Sequence, residues 1–216
     1  MELWLSDGVH ATMIDEDAVF LDVATNAYFC LPAIGAALRL EGRKMIVLAE
    51  PLGEDLLGAG LACDAPVASE GVMAQAPVHT ARALIEALPA TTRLAPAWRH
   101  WRAAILAGLG NARDQRRSFA TRLPPPNGVR TDTPNPTLLQ DLAAFRGLAP
   151  WLPFDGACLY RSGLLRRYLA ALGHRVDWVF GVRTWPFAAH CWLQAGDVAL
   201  DDEAERLAAY HPIMVR

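Results

Sequence analysis

The chain has 216 residues, 53% hydrophobic and 20% charged, with a formal net charge of −3. That composition is globular and supports a buried core, and the slight acidity offers no electrostatic footprint for nucleic acid or an anionic membrane. Met1 to Asp7 has no basic n-region, and no stretch reaches the roughly 18 apolar residues of a membrane helix, so a cytoplasmic protein is expected.

Residues 1–63 read as a small unit of their own. Val9 to Ile14, Ala18 to Val23 and Ala27 to Leu31 are strand-like, separated by Asp15-Glu16-Asp17 and Ala24-Thr25-Asn26 as turns. Close strands with Asp/Asn turns favour an antiparallel meander. Pro32 is expected to open a helix carrying Ile34, Leu38 and Leu40 before Gly42. Arg43 to Glu50 is a short apolar segment, and Glu54 to Leu61 suggests a further helix. Residues 64–80, rich in Ala and Pro, read as a linker to a second unit, 81–216.

Ala81 to Leu88 and Trp98 to Leu109 have helical spacing, with Trp98, Trp101, Ile105, Leu106 and Leu109 expected in the core. Arg113, Arg116, Arg117 and Arg122 are expected to be a solvated face. Leu123 to Pro136 is too proline-rich for helix or central strand. Leu138 to Leu148 is a helix, ended by Pro150 and Pro153. A helix then runs from Cys158 to Leu172, before Gly173. Arg175 to Val182, Ala188 to Gln194 and Asp197 to Asp202 follow as strands. Helix first and antiparallel sheet after gives an α+β layer.

The four cysteines, Cys30, Cys63, Cys158 and Cys191, form no CxxC pair. That argues against a zinc site and leaves free thiols as the default, with no metal or cofactor expected. Cys158 follows Asp155-Gly156-Ala157 and starts a helix; His190 and Asp202 lie on later strands. A thiol attacks as thiolate, which a helix N-terminus and a nearby imidazole both favour. A carboxylate then orients the imidazole. Val198, Leu200 and Asp202 share one strand face, which prefers Asp202 as the orienting group and leaves Asp201 as the alternative. The same three residue types also occur together without catalysis, as a core thiol and a satisfied histidine. Strand alternation turns Cys191 away from Cys158 if His190 faces it, making Cys191 inert.

The blocks Cys158-Leu159-Tyr160-Arg161-Ser162, Val179-Phe180-Gly181-Val182-Arg183, Pro186-Phe187-Ala188-Ala189-His190-Cys191-Trp192-Leu193 and Val198 to Asp202 resemble the B proteins of lasso-peptide biosynthesis. The family commonly has alanine where this chain has Cys191. The resemblance implies a papain/transglutaminase-like cysteine protease that removes a leader, with Cys158, His190 and Asp202 as its triad and a threonine at the penultimate leader position. It also implies an asparagine-synthetase-like, ATP-dependent cyclase as partner. Leu21-Asp22, Tyr28, Leu31, Gly35 and Gly42 resemble the PqqD-like leader-recognition domain, a three-stranded winged-helix-like fold. That resemblance implies leader binding as an added strand, here by Ala27, Tyr28, Phe29, Cys30 and Leu31 with Asp55 and Leu57. Two other functions stay open: a transglutaminase-type acyl transferase, and an inactive scaffold for precursor and cyclase.

Overall fold

The structure, a computed structural model, describes residues 1–67, 75–89, 96–125, 131–152 and 157–216. The chain opens with β1 (Glu2–Leu5), β2 (Val9–Ile14), β3 (Asp17–Asp22) and β4 (Ala27–Leu31). Strands β2, β3 and β4 form the expected antiparallel meander. Its hairpins turn at Asp15 (φ 51°) and Asn26 (φ 56°), residue types that tolerate the left-handed region. The Asp22 carboxylate accepts from Ala24 N–H (2.9 Å) and Thr25 Oγ1–H (2.6 Å), which fixes the second turn.

The helix expected after Pro32 is absent. In its place β5 (Leu38–Glu41) and β6 (Lys44–Val47) form a hairpin. Its two-residue loop puts Gly42 at φ 66°. Leu38 and Leu40 alternate with Arg39 and Glu41, which is strand period, and β6, itself paired with β1, supplies the partner. The next helix, α1 (Glu50–Gly58), begins earlier than expected, with Pro51 in its first turn. β7 (Ala62–Cys63) completes a second sheet in the order β5-β6-β1-β7.

The rest is β8 (His79–Thr80), α2 (Ala81–Ala87), α3 (Trp98–Asp114), α4 (Phe119–Arg122), α5 (Pro136–Leu148), α6 (Cys158–Ala171), β9 (Asp177–Arg183), β10 (Ala188–Ala195), β11 (Val198–Ala199), α7 (Ala204–Leu207) and β12 (His211–Val215). A five-stranded sheet runs β12-β9-β10-β11-β8, with β8 parallel to β11 and the other pairs antiparallel. The end of the expected linker is therefore an edge strand; residues 68–74 of it lie outside the described residues. So do residues 126–130 of the proline-rich segment and Pro153 to Gly156 ahead of Cys158. No helix among the described residues is long and apolar enough to cross a membrane.

Helix α3 overturns the expectation for its tryptophans. Its buried face is His100, Ala103, Ala104, Ala107 and Asn111. Trp98 is 76% exposed, and Trp101, Ile105, Leu106 and Leu109 are exposed as well. The small alanine face lets α3 pack closely on α6, and the larger side chains point outward. Arg113, Arg116 and Arg117 are exposed, as expected, but Arg122 is half-buried and donates to Arg117 O (2.9 Å) and Gln115 O (2.8 Å).

The main core lies between α3, α5, α6 and one face of the five-stranded sheet, and it includes Val19 and Leu21 of β3. Ala18 and Phe20, on the other face of β3, join Leu3, Leu5, Leu38 and Met45 in a second core. β3 is thus buried on both faces, which explains its unbroken apolar run. The two parts of the chain also meet where Trp185 Nε1–H donates to Asp17 Oδ2 (2.6 Å) and Arg216 Nη2 donates to His10 Nε2 (3.1 Å). His10 is held neutral by burial and by Arg216, its pKa lowered to about 3.

Candidate active site

Cys158 is the first residue of α6, where backbone N–H groups lack helical partners and the dipole end is positive. The first turn is clamped from two sides. Ser162 Oγ–H donates to Cys158 O (2.8 Å) and Oγ accepts from Trp178 Nε1–H on β9 (2.8 Å). Asn111 of α3 donates to Tyr160 O (3.0 Å). Gly163 permits this approach, because a Cβ there would sit 3.0 Å from Asn111 Oδ1.

His190 lies on β10 opposite Gly181 of β9. Its ring packs against both Trp192 (6.2 Å between centroids) and Tyr210 (5.4 Å), which also touch each other (6.5 Å). Gly181 makes room for the Trp192 ring: a Cβ would meet it at 2.7 Å. His190 Nε2 is 2.7 Å from Asp202 Oδ2. Asp202 Oδ1 accepts from Glu203 N–H (2.8 Å) and lies 3.5 Å from Arg206. With Nε2 engaged by Asp202, Nδ1 is the nitrogen left for Cys158. Asp201 does not make this contact; its Oδ1 accepts from Leu193 N–H (2.8 Å). The strand expected to run to Asp202 ends at Ala199, so a bend after the strand, not strand phase, presents Asp202.

The Cys158 thiol is held down to about pKa 4 by the Cys191 thiol, then, against the opposing effect of burial, by His190 and the Cys191 backbone N–H. His190 is raised above its ordinary 6.5, first by Cys158 and, against burial, by Asp202. Both directions favour a thiolate–imidazolium pair. Burial pushes Asp201 up to about 7.

Cys191 is not turned away from the nucleophile. Strand alternation holds, since Cys191 faces α6 while His190 faces Trp192 and Tyr210. Cys158, however, belongs to the helix end above the strand and is met by both neighbours. A further neighbour is Tyr28 of β4. It packs with Phe187 (5.8 Å between ring centroids) and against the core that holds Cys158 and Cys191. Its hydroxyl is pushed up to about 12 by burial, then by those two thiols. No spacing in the sequence links Tyr28 to Cys158, 130 residues away.

The residues expected to bind a leader divide between two places. Ala27 to Leu31 form β4, a terminal strand of its sheet, with Phe29 44% exposed and Tyr28 and Cys30 turned toward the shared core. Asp55 and Leu57 lie on α1, which packs on β6 and β7 of the other sheet. Two cavities flank the first turns of α6. One of about 250 Å³ is lined by Ala157, Leu159, Tyr160 and Trp178. The other, about 450 Å³, is lined by Arg161, Asp201, Asp202 and Glu203.

Residues 101–215 match the Transglutaminase-like superfamily, more than half of the chain and all three residues of the thiol–imidazole–carboxylate cluster. The chain belongs to the transglutaminase-like superfamily. That superfamily carries cysteine-protease-like and acyl-transfer chemistry, and α6, β9 and β10 are the helix and strands on which this chain presents it. No curated protein and no solved structure matches the chain.

Proposed function

We propose that this protein is the leader peptidase of a lasso-peptide pathway. The observation that carries the reading is the meeting of a helix-terminal cysteine with an imidazole whose far nitrogen lies 2.7 Å from a carboxylate. Cys158 thiolate attacks the peptide carbonyl at the leader–core junction. The oxyanion is held by the Cys158 N–H. As the C–N bond breaks, His190 gives its proton to the departing core amine and leaves a thioester. Water then adds, its proton going to His190, and the leader leaves as a carboxylate. Asp202 keeps the imidazole oriented throughout.

In this reading residues 1–63 are the PqqD-like leader-recognition unit and 81–216 the protease. The leader adds to β4, a terminal strand whose Tyr28 already faces Cys158 and Cys191. Recognition and cleavage sites then share one continuous surface. The freed core amine passes to an asparagine-synthetase-like cyclase, in the cytoplasm.

The test is mass spectrometry of the precursor encoded beside this gene, incubated with the wild type and with Cys158→Ala. Cleavage at the junction by the wild type alone is expected. Silence from both, even with the cyclase and ATP present, would move the scaffold reading into first place. The superfamily also supports acyl transfer. An added amine captured in the product, with no hydrolysis, would establish that reading instead.

A further inference from the structure

The cavity of about 250 Å³ beside the first turn of α6 has no part in the mechanism above. Its wall includes Ala157 and Leu159, on either side of Cys158, and four charged side chains: Asp114, Arg122, Arg166 and Arg167. Three of these are already engaged. Asp114 pairs with Arg167 and lies 3.6 Å from Arg117. Arg122 donates to the carbonyls of Arg117 and Gln115. Arg166 makes no hydrogen bond or ion pair among the described residues, and its Nε is buried without an acceptor, a costly state for a guanidinium. What holds it is the indole of Trp178. The guanidinium carbon lies 5.1 Å from the ring centroid, a contact that leaves the N–H donors unused. Burial, then Arg167, works against its charge, and only Asp114 favours it. On its other side Arg166 borders a cavity of about 220 Å³ that adds Arg175 and Arg216 but no Asp or Glu. The guanidinium thus has donors to spare and no carboxylate in hydrogen-bond contact.

We infer that this cavity is a carboxylate subsite, in which Arg166 receives the side chain of an aspartate or glutamate of the peptide substrate. This rests on the peptidase reading of the proposed function and deepens it by naming a residue preference. Arg166 lies two turns beyond Cys158 on α6, about 12 Å along the helix axis. Helical side chains lean toward the N-terminus, which carries the guanidinium back toward the nucleophile. An extended peptide advances about 3.3 Å per residue, so the acidic residue falls about two to four positions from the scissile bond. A carboxylate suits this wall, because it accepts from a guanidinium in two parallel hydrogen bonds and answers the excess of arginine. One indole serves both sites. Trp178 Nε1–H holds Ser162 Oγ, which in turn holds Cys158 O, while the Trp178 ring carries Arg166.

The experiment uses the full chain and internally quenched peptides that span the leader–core junction of the precursor encoded beside this gene. Each position within about five residues of the bond, on either side, carries Glu or Gln in turn. In the wild type one position is expected at which Glu raises kcat/KM about tenfold over Gln, chiefly through KM. Arg166→Gln should abolish that preference. Arg166→Glu should reverse it, so that Lys at the same position is cleaved better than Glu, which a merely structural role for Arg166 would not produce. Circular dichroism checks the fold of each variant. Should Arg166→Gln fail to fold, Arg166→Met replaces it, keeping the stem on Trp178 without the charge. A wild type that cleaves the Glu and Gln peptides alike at every position would overturn the subsite and leave the peptidase standing. So would a charge-free variant that keeps the preference. If the wild type cleaves none of the peptides, even with the cyclase and ATP present, the subsite falls together with the peptidase reading.

Discussion

At the scale of single residues, the site is a balance between burial and donors. Burial alone would raise Cys158 and lower His190; their mutual contact, with Cys191 and Asp202, reverses both. For hydrolysis, kcat/KM should rise as pH climbs through about 4, where Cys158 ionises. It should fall on the alkaline side, above 6.5, as His190 loses the proton it must deliver. A peptide assay across pH 3 to 10 would show this bell; a rise that continues past pH 8 would contradict the ion pair. Asp202→Asn would allow the wrong tautomer and should lower kcat by roughly ten-thousandfold without unfolding the chain. Asp201→Asn should behave differently. The folded-state pKa of Asp201 is raised from 3.8 to about 7, so its protonated form adds stability that is complete below about pH 4 and lost as pH rises through about 7. Asparagine can still accept from Leu193 N–H and carries no charge. The variant should therefore gain stability over the wild type at pH 8 and lose that advantage near pH 4, as read from urea midpoints at the two pH values.

At the scale of elements, three helices are tied to one carboxylate. Asp141 on α5 is 1% exposed. Its Oδ1 meets His100 Nε2 (3.0 Å) and Arg99 Nη2 (2.5 Å) from α3, and its Oδ2 meets His174 Nε2 (2.8 Å), just past α6. Asp141→Ala leaves these donors facing an empty site and should cost about 3–5 kcal/mol in urea unfolding. Helix α6 was legible in the sequence because its start, its apolar stripe and the glycine after it agree; β9 and β10 were legible by alternation. The β5–β6 hairpin was not. Leu38 and Leu40 suit a strand, and Ile34 to Leu38 suits a helix, so pairing with β6, itself held by β1, decides. Helix α3 shows another limit. Periodicity locates an apolar stripe, but it does not say that an alanine face opposite will win the contact with α6. The position of Cys191 against Cys158 also lies outside what strand alternation encodes, because the helix end above the strand sets it.

At the scale of the whole molecule, the sequence suggests two units joined by a tether, whereas the structure builds them around a shared strand. Val19 and Leu21 of β3 belong to the core of α3, α5 and α6, while Ala18 and Phe20 belong to the core of residues 1–63. Removing residues 1–63 would strip apolar cover from the second unit and take away Tyr28 beside the thiols. Residues 64–216 alone should then aggregate or unfold non-cooperatively, and would not simply bind substrate more weakly. A gentler test is Leu21→Ala. Leu21 is fully buried, so truncating it should cost about 2–5 kcal/mol. The informative readout is where that loss is felt. If β3 is a structural layer of both units, native-state hydrogen exchange should show the amides of β3 and of β10 opening together, with both free energies lowered in the variant. If β10 keeps its wild-type protection while β3 opens early, the two units fold independently. Tyr28 would then be delivered to the thiol site only when they dock.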